Sequence, residues 1–106
     1  MIRARIKIQS DAAAFTLTGH ADAADEGEDI VCAAVSSAAY LTANTVTEIL
    51  KVPAKAEVRE GFMEFSFTGS KPAADLVRGF LLHLRELRKQ YPANIKILTE
   101  VEPCLR

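Results

Sequence analysis

The sequence predicts an α+β domain, one mixed sheet packed with two helices in the order β-β-α-β-β-α-β. Three observations carry that expectation. The chain has 106 residues, which fits a single domain over residues 1–106 and leaves little room for two. Apolar residues alternate at period two in several short runs. They recur at helical period in two long ones. There is no internal repeat, linker or low-complexity stretch.

Ile2, Ala4, Ile6 and Ile8 alternate with Arg3, Arg5, Lys7 and Gln9, which reads as a half-buried strand. Phe15, Leu17 and Gly19 alternate with Thr16, Thr18 and His20 in a second. Ser10-Asp11-Ala12 between them is short enough for a hairpin. His20 to Glu28 is polar and contains Gly27; it reads as a loop of about nine residues, and loops of that length are often functional. Asp29 is a good N-cap for a helix from about Ile30 to Leu50. In that helix Val31, Val35, Ala38, Thr42, Val46 and Ile49 trace the buried face.

Pro53 ends that region. Ala54–Arg59 and Phe62–Thr68, joined by Glu60-Gly61, read as another hairpin. Gly69-Ser70-Lys71-Pro72 has the chemistry of a helix start. Leu76, Val77, Phe80, Leu81, Leu84, Leu87 and Tyr91 give the second helix its stripe. Pro92 stops it, and Ile95, Ile97 and Thr99 form a last strand.

Composition excludes several classes. The chain is 49% hydrophobic, too apolar for a disordered protein. Thirteen basic against fourteen acidic residues leave a net charge of −1. That total offers no basic excess to a general polyanion binder, so no direct nucleic-acid contact is expected. Two cysteines, Cys32 and Cys104, rule out a disulfide-dense scaffold and a four-cysteine zinc site. The N-terminus does not read as a signal peptide. No run approaches the ~18 apolar residues of a membrane span, so no membrane partner is expected. A cytoplasmic protein with reduced thiols is the simplest reading. The averages hide one asymmetry: Gln9 to Leu50 contains seven acids and no Lys or Arg, and five of the acids lie between Asp22 and Asp29.

Chemistry concentrates around Cys32 and His20. With Asp29 as cap, Cys32 is the third helical residue, where unpaired N–H groups and the positive helix end gather. Both favour a thiolate, and the same N–H groups could hold an oxyanion. The alternative is plain packing, since free cysteine is among the most buried residue types. His20 closes a strand and Cys32 opens the next helix. A strand end and a following helix start often meet at one sheet edge, so the pair could act as nucleophile and proton shuttle. The competing reading of His20 is a solvated loop histidine. Asp29 could cap the helix, orient His20, or do both. Ser36 lies one turn beyond Cys32 on the same face. It could bond the thiol, a substrate carbonyl or the helix backbone.

Metal binding is a weak rival. His20, Asp22, Asp25, Glu26 and Cys32 match no zinc spacing, and Ala24 and Ala33 fall where an EF-hand needs ligands. No cofactor and no metal are expected. Cys104 carries no partner motif, and His83 sits in an amphipathic helix, where a surface or interface role is commoner than chemistry. Arg78, Arg85, Arg88 and Lys89 make a basic flank that reads as a solvated face, with an interaction surface as the second reading.

Gly19-His20-Ala21, Gly27 and the run Asp29-Ile30-Val31-Cys32-Ala33-Ala34-Val35-Ser36 resemble the signature of the ribosomal-processing cysteine protease family, Prp. The step from His20 to Cys32 agrees, and size and element order are similar along nearly the whole chain. The resemblance implies a cytoplasmic bacterial cysteine peptidase, usually a homodimer. Such enzymes remove a short N-terminal extension from the large-subunit ribosomal protein L-twenty-seven, cutting after an aromatic-containing segment. It further implies that His20 is the catalytic histidine and Cys32 the nucleophile, with Asp29 and Ser36 at other signature positions. Gly19 and Gly27 would supply turns flanking a loop over the site. The loop here is acidic, Asp22-Ala23-Ala24-Asp25-Glu26, where relatives often carry an aromatic or small residue. The alternative class is a non-enzymatic ribosome-assembly module that binds a basic ribosomal protein.

Overall fold

The computed structural model describes residues 1–19 and 26–102, with residues 26–29 described by their backbone alone. The elements are β1 (Ile2–Ile8), β2 (Ala13–Thr18), α1 (Glu26–Asn44) running on into one π turn (Thr45–Ile49), β3 (Lys55–Arg59), β4 (Phe62–Phe67), α2 (Lys71–Gln90) and β5 (Ile95–Val101). The expected β-β-α-β-β-α-β order is the observed one.

Period-two alternation decides how the strands sit. They form one mixed sheet in the order β3-β4-β2-β1-β5. All neighbours are antiparallel except β1 and β5, which run parallel, because α2 carries the chain back across the sheet before β5 begins. The apolar positions Ile2, Ile6, Ile8, Phe15, Leu17, Met63, Phe65 and Phe67 are buried on one face, while Arg3, Arg5 and Lys7 stand exposed on the other. Both helices cover the apolar face. Phe15 is the hub of the core, its ring 4.9 Å from Phe80 and 5.5 Å from Phe65.

The start of α2 follows its sequence. Ser70 is extended, its hydroxyl accepts from the Ala73 N–H, and Pro72 lies in the first turn, where a missing N–H costs nothing. Val77, Phe80, Leu81 and Leu84 are buried along the expected stripe.

The first helix departs from expectation at both ends. It begins at Glu26, so Asp29 is not the N-cap and Gly27 lies inside the helix rather than in a loop. The helix thus begins within the acidic run Glu26-Gly27-Glu28-Asp29, and acidic residues favour the first turn of a helix. That charge pattern lets the helix start upstream of the best capping residue. At the other end, the π turn over Thr45–Ile49 adds a residue to the helical turn and rotates the side chains beyond it. Ile49, expected on the buried face, is 74% exposed, whereas Ala39, Ala43 and Val46 are buried. Ile30–Ile49 also proves long and apolar enough, by length and composition, to cross a membrane, with a mean hydropathy of 1.3. Alanines carry the stretch to that mean, while Ser36, Ser37, Thr42 and Asn44 interrupt it. In this fold Val31, Val35, Ala39 and Val46 of that stretch belong to the core under the sheet.

Candidate active site

Register brings the site together at one end of the sheet. Ala56 pairs with Phe65 and Val58 with Met63, which places Ala56 and Val58 on the helix-covered side. Both are nonetheless exposed, so the helices stop short of the edge strand β3. The uncovered strip becomes the floor of a cleft of about 760 Å³. Leu17, Val58 and Met63 form its floor, and Ile2 at the start of β1 also lines it.

The wall opposite is α1. Cys32, Ser36 and Tyr40 all line the cleft, and their spacing of four residues stacks them on one helix face. Cys32 is half-buried and carries a free thiol, packed against the edge of the core. Ser36 is exposed. Thr42, Thr45 and Thr47 each donate a hydroxyl back to the carbonyl four residues earlier. Ser36 makes no such bond among the described residues. Its hydroxyl stands over the cleft one turn from the thiol, which leaves it available to a ligand.

The first-turn placement expected for Cys32 is overturned by the earlier helix start. Counting from Glu26, Cys32 is the seventh helical residue, and in an α-helix its N–H belongs to the carbonyl of Glu28. The orphan donors of the helix end are those of residues 26–29. The N–H of Cys32 is therefore not a free oxyanion donor.

Gly19 occupies the cleft rim beside Cys32. Its N–H donates to the carbonyl of Gly61 at 3.0 Å, tying the end of β2 to the tip of the β3–β4 hairpin. The expected role of Gly19 was a turn; its structural role is close approach, since a Cβ there would run into the Ile2 side chain and lie 3.2 Å from the Met1 carbonyl oxygen. Gly61 supplies the turn, with φ of 71°. His20, Asp22 and Asp25 lie outside the described residues, as does Cys104. His20 directly follows Gly19 in sequence, so the chain that leads to it departs from the cleft rim.

The sequence pointed to Cys32, Ser36 and Gly19, which the cleft unites. It missed Tyr40 and Val58. Tyr40 had a legible signal, being eight residues beyond Cys32 on the same helical face. Val58 had none, because its exposure depends on where the helices end above β3. The lining is mainly apolar, with the Cys32 thiol and the Ser36 and Tyr40 hydroxyls on the helix wall and Thr18, Arg59 and Glu60 contributed by the strands and hairpin. Such a cleft is suited to holding an extended chain with apolar side chains while a sulfur nucleophile faces it.

A family model described as cysteine protease Prp matches residues 1–96. The ribosomal processing cysteine protease Prp of Bacillus subtilis (strain 168) is 28% identical over 111 residues, covering 95% of this chain and 99% of the relative. The crystal structure of the ribosomal processing protease Prp of S. aureus with a substrate peptide superposes with a TM-score of 0.85 at 20% identity, covering 94% of this chain and 100% of that one. A crystal structure of a Streptococcus mutans protein gives a TM-score of 0.82 at 23% identity, covering 96% and 99% of the two chains. These structures share the fold.

Proposed function

The chain belongs to the cysteine protease Prp family, and from that premise we propose that it is the endopeptidase that removes a short N-terminal extension from the large-subunit ribosomal protein L-twenty-seven, with Cys32 as nucleophile and His20 as general base and acid. The observation that carries the reading is the position of Cys32. Among the described residues it is the cysteine that lines a cleft large enough for a peptide. A packing-only cysteine has no need of that exposure. Two further facts support it: Ser36 shares the wall, and Gly19, which leads into His20, shares the rim. A relative solved with a substrate peptide has the same fold.

In the proposed reaction an extended substrate lies in the cleft with its scissile carbonyl over Cys32. His20 takes the thiol proton, and the sulfur attacks the carbonyl carbon. The C–N bond breaks as His20 returns the proton to the leaving amine. Water, deprotonated by the same imidazole, then attacks the thioester and frees Cys32. The apolar floor of Leu17, Val58 and Met63 receives apolar side chains of the substrate. We further propose a cytoplasmic homodimer as the working form.

The test is intact-mass analysis of the extended ribosomal protein incubated with wild type, Cys32→Ala and His20→Ala. Wild type is expected to release the extension. Cys32→Ala is expected to release none while keeping the same circular dichroism spectrum. His20→Ala is expected to be slower by about 10²–10⁴-fold, the range for a lost acid/base group. Equal cleavage by Cys32→Ala removes the assignment. A second check separates an enzyme from a binding module: an alkylating probe is expected to modify Cys32 far faster than Cys104 near neutral pH.

A further inference from the structure

The net charge of −1 gives no hint of how the charges are distributed, and the sheet register sorts them. The face of the sheet away from the helices carries Lys55, Arg59, Arg3, Arg5, Lys7 and Lys96, against Glu57, Glu64 and Glu100. Six cations therefore face three carboxylates on one surface. Two of those carboxylates are occupied within the face: Glu57 with Arg59 at 3.5 Å and Glu100 with Lys7 at 3.8 Å. Among the described residues Arg3, Arg5 and Lys96 enter no ion pair.

The cations are also ordered. One row runs across all five strands as Arg59, Phe62, Thr18, Arg3 and Lys96. It contains three cations, a hydroxyl, an aromatic ring and no carboxylate. A shallow hollow of about 490 Å³ opens beside it, lined by Arg3, Arg5, Lys96, Thr16, Thr18 and the single carboxylate Glu64. At the far end of the row the Arg59 guanidinium lies over the Phe62 ring, 3.9 Å from its centroid. That contact pairs a guanidinium with an aromatic ring at one end of the row, and both groups can stack on a planar base.

We propose that this face binds RNA, through phosphates on Arg3, Arg5 and Lys96 and a base stacked on Arg59. Cations in a shallow hollow with an arginine–aromatic pair at one end form the combination that single-stranded nucleic acid requires. An acidic peptide would use the cations but leave the arginine–aromatic pair idle. The inference rests on the proposed function only in choosing RNA over DNA, since a protease acting on a ribosomal protein meets its substrate close to RNA. The Arg59–Phe62 end of the row also borders the Cys32 cleft, whereas Arg3, Arg5 and Lys96 lie outside its lining.

The experiment is fluorescence anisotropy of a 5′-labelled ten-nucleotide oligouridylate titrated with the full chain at 50 and 200 mM KCl. Three phosphate contacts at a slope of about 0.7 each predict roughly 20-fold weaker binding at the higher salt. Arg5→Glu with Lys96→Glu is expected to lower affinity at least tenfold, on the order of two lost charged contacts. Arg85→Glu with Lys89→Glu on α2 makes the same change in net charge away from the face and is expected to bind like wild type. Circular dichroism melts verify that both double variants are folded. No salt-dependent binding by wild type overturns the proposal. So does equal loss in both double variants, which reports net charge alone. A dimer broken by Arg5→Glu with Lys96→Glu, without RNA binding, shows that the face joins two copies and also overturns it. Peptide cleavage by Arg5→Glu with Lys96→Glu is expected at the wild-type rate. Retained RNA binding with no wild-type cleavage would unseat the proposed reaction and not this face.

Discussion

Gly19 lies so close against Ile2 that a Cβ on the glycine would run into the Ile2 side chain. Ile2 is buried at the start of β1 and Gly19 closes β2, so this contact fixes where the cleft rim sits relative to the sheet. Gly19→Ala is expected to destabilise the fold by about 1–3 kcal/mol, the usual cost of overpacking. The obstructing atom is the Ile2 δ-methyl, so Ile2→Val in the Gly19→Ala background is expected to recover part of the loss. Urea denaturation of the two single variants and the double variant measures that coupling.

Val58 faces the helix side of the sheet yet is half exposed, because no helix covers it. Its substitution by glutamate puts a charge on the cleft floor without opening a cavity. Stability is expected to change by no more than about 0.5 kcal/mol, as at other surface positions. The kcat/KM for an apolar peptide is expected to fall by roughly tenfold or more, the scale of one misfit group in an apolar pocket. Steady-state kinetics beside a thermal melt separate the two effects.

Ser36 stands one helical turn from Cys32 and forms no hydrogen bond back to the helix among the described residues. A hydroxyl that contacts bound substrate is worth about 0.5–1.5 kcal/mol. Ser36→Ala is therefore expected to raise KM by roughly 2–10-fold with kcat little changed. A fall in kcat at constant KM would instead assign Ser36 to orienting the thiol.

Five acids lie between Asp22 and Asp29, before and within the start of the helix whose wall carries Cys32. For a basic substrate, kcat/KM is expected to fall about threefold or more between 20 and 300 mM salt as screening shortens the reach of that charge. A neutral peptide of the same apolar sequence is expected to show no such fall. Parallel progress curves for the two peptides are the measurement.

Legibility tracked the range of the interactions involved. The strand alternation of Ile2–Ile8, the helix start at Gly69-Ser70-Lys71-Pro72 and the Val77–Leu84 stripe are local patterns, and each appears in the structure where the sequence placed it. The start of α1 was misread because two local signals compete there. Asp29 is a good cap, but acids at Glu26 and Glu28 favour an earlier first turn. Ile49 was misread because a π turn, which has no sequence signature, rotated it outward. Cys32 and Ser36 were legible as helical neighbours. Their partners Val58 and Met63 were not, because they arrive from the β3–β4 hairpin far along the chain.

The number, type and order of the elements were written in the chain, since period and punctuation are properties of neighbouring residues. So was the shared face of Cys32 and Ser36, because helical geometry sets it. That this face looks into a cleft came from the assembled fold, since the cleft exists where the helix layer ends above β3. The division of charge came from the same source. A chain with a net charge of −1 presents six cations and three carboxylates on one sheet face, because register, which no composition records, lines up every second residue of five separate strands.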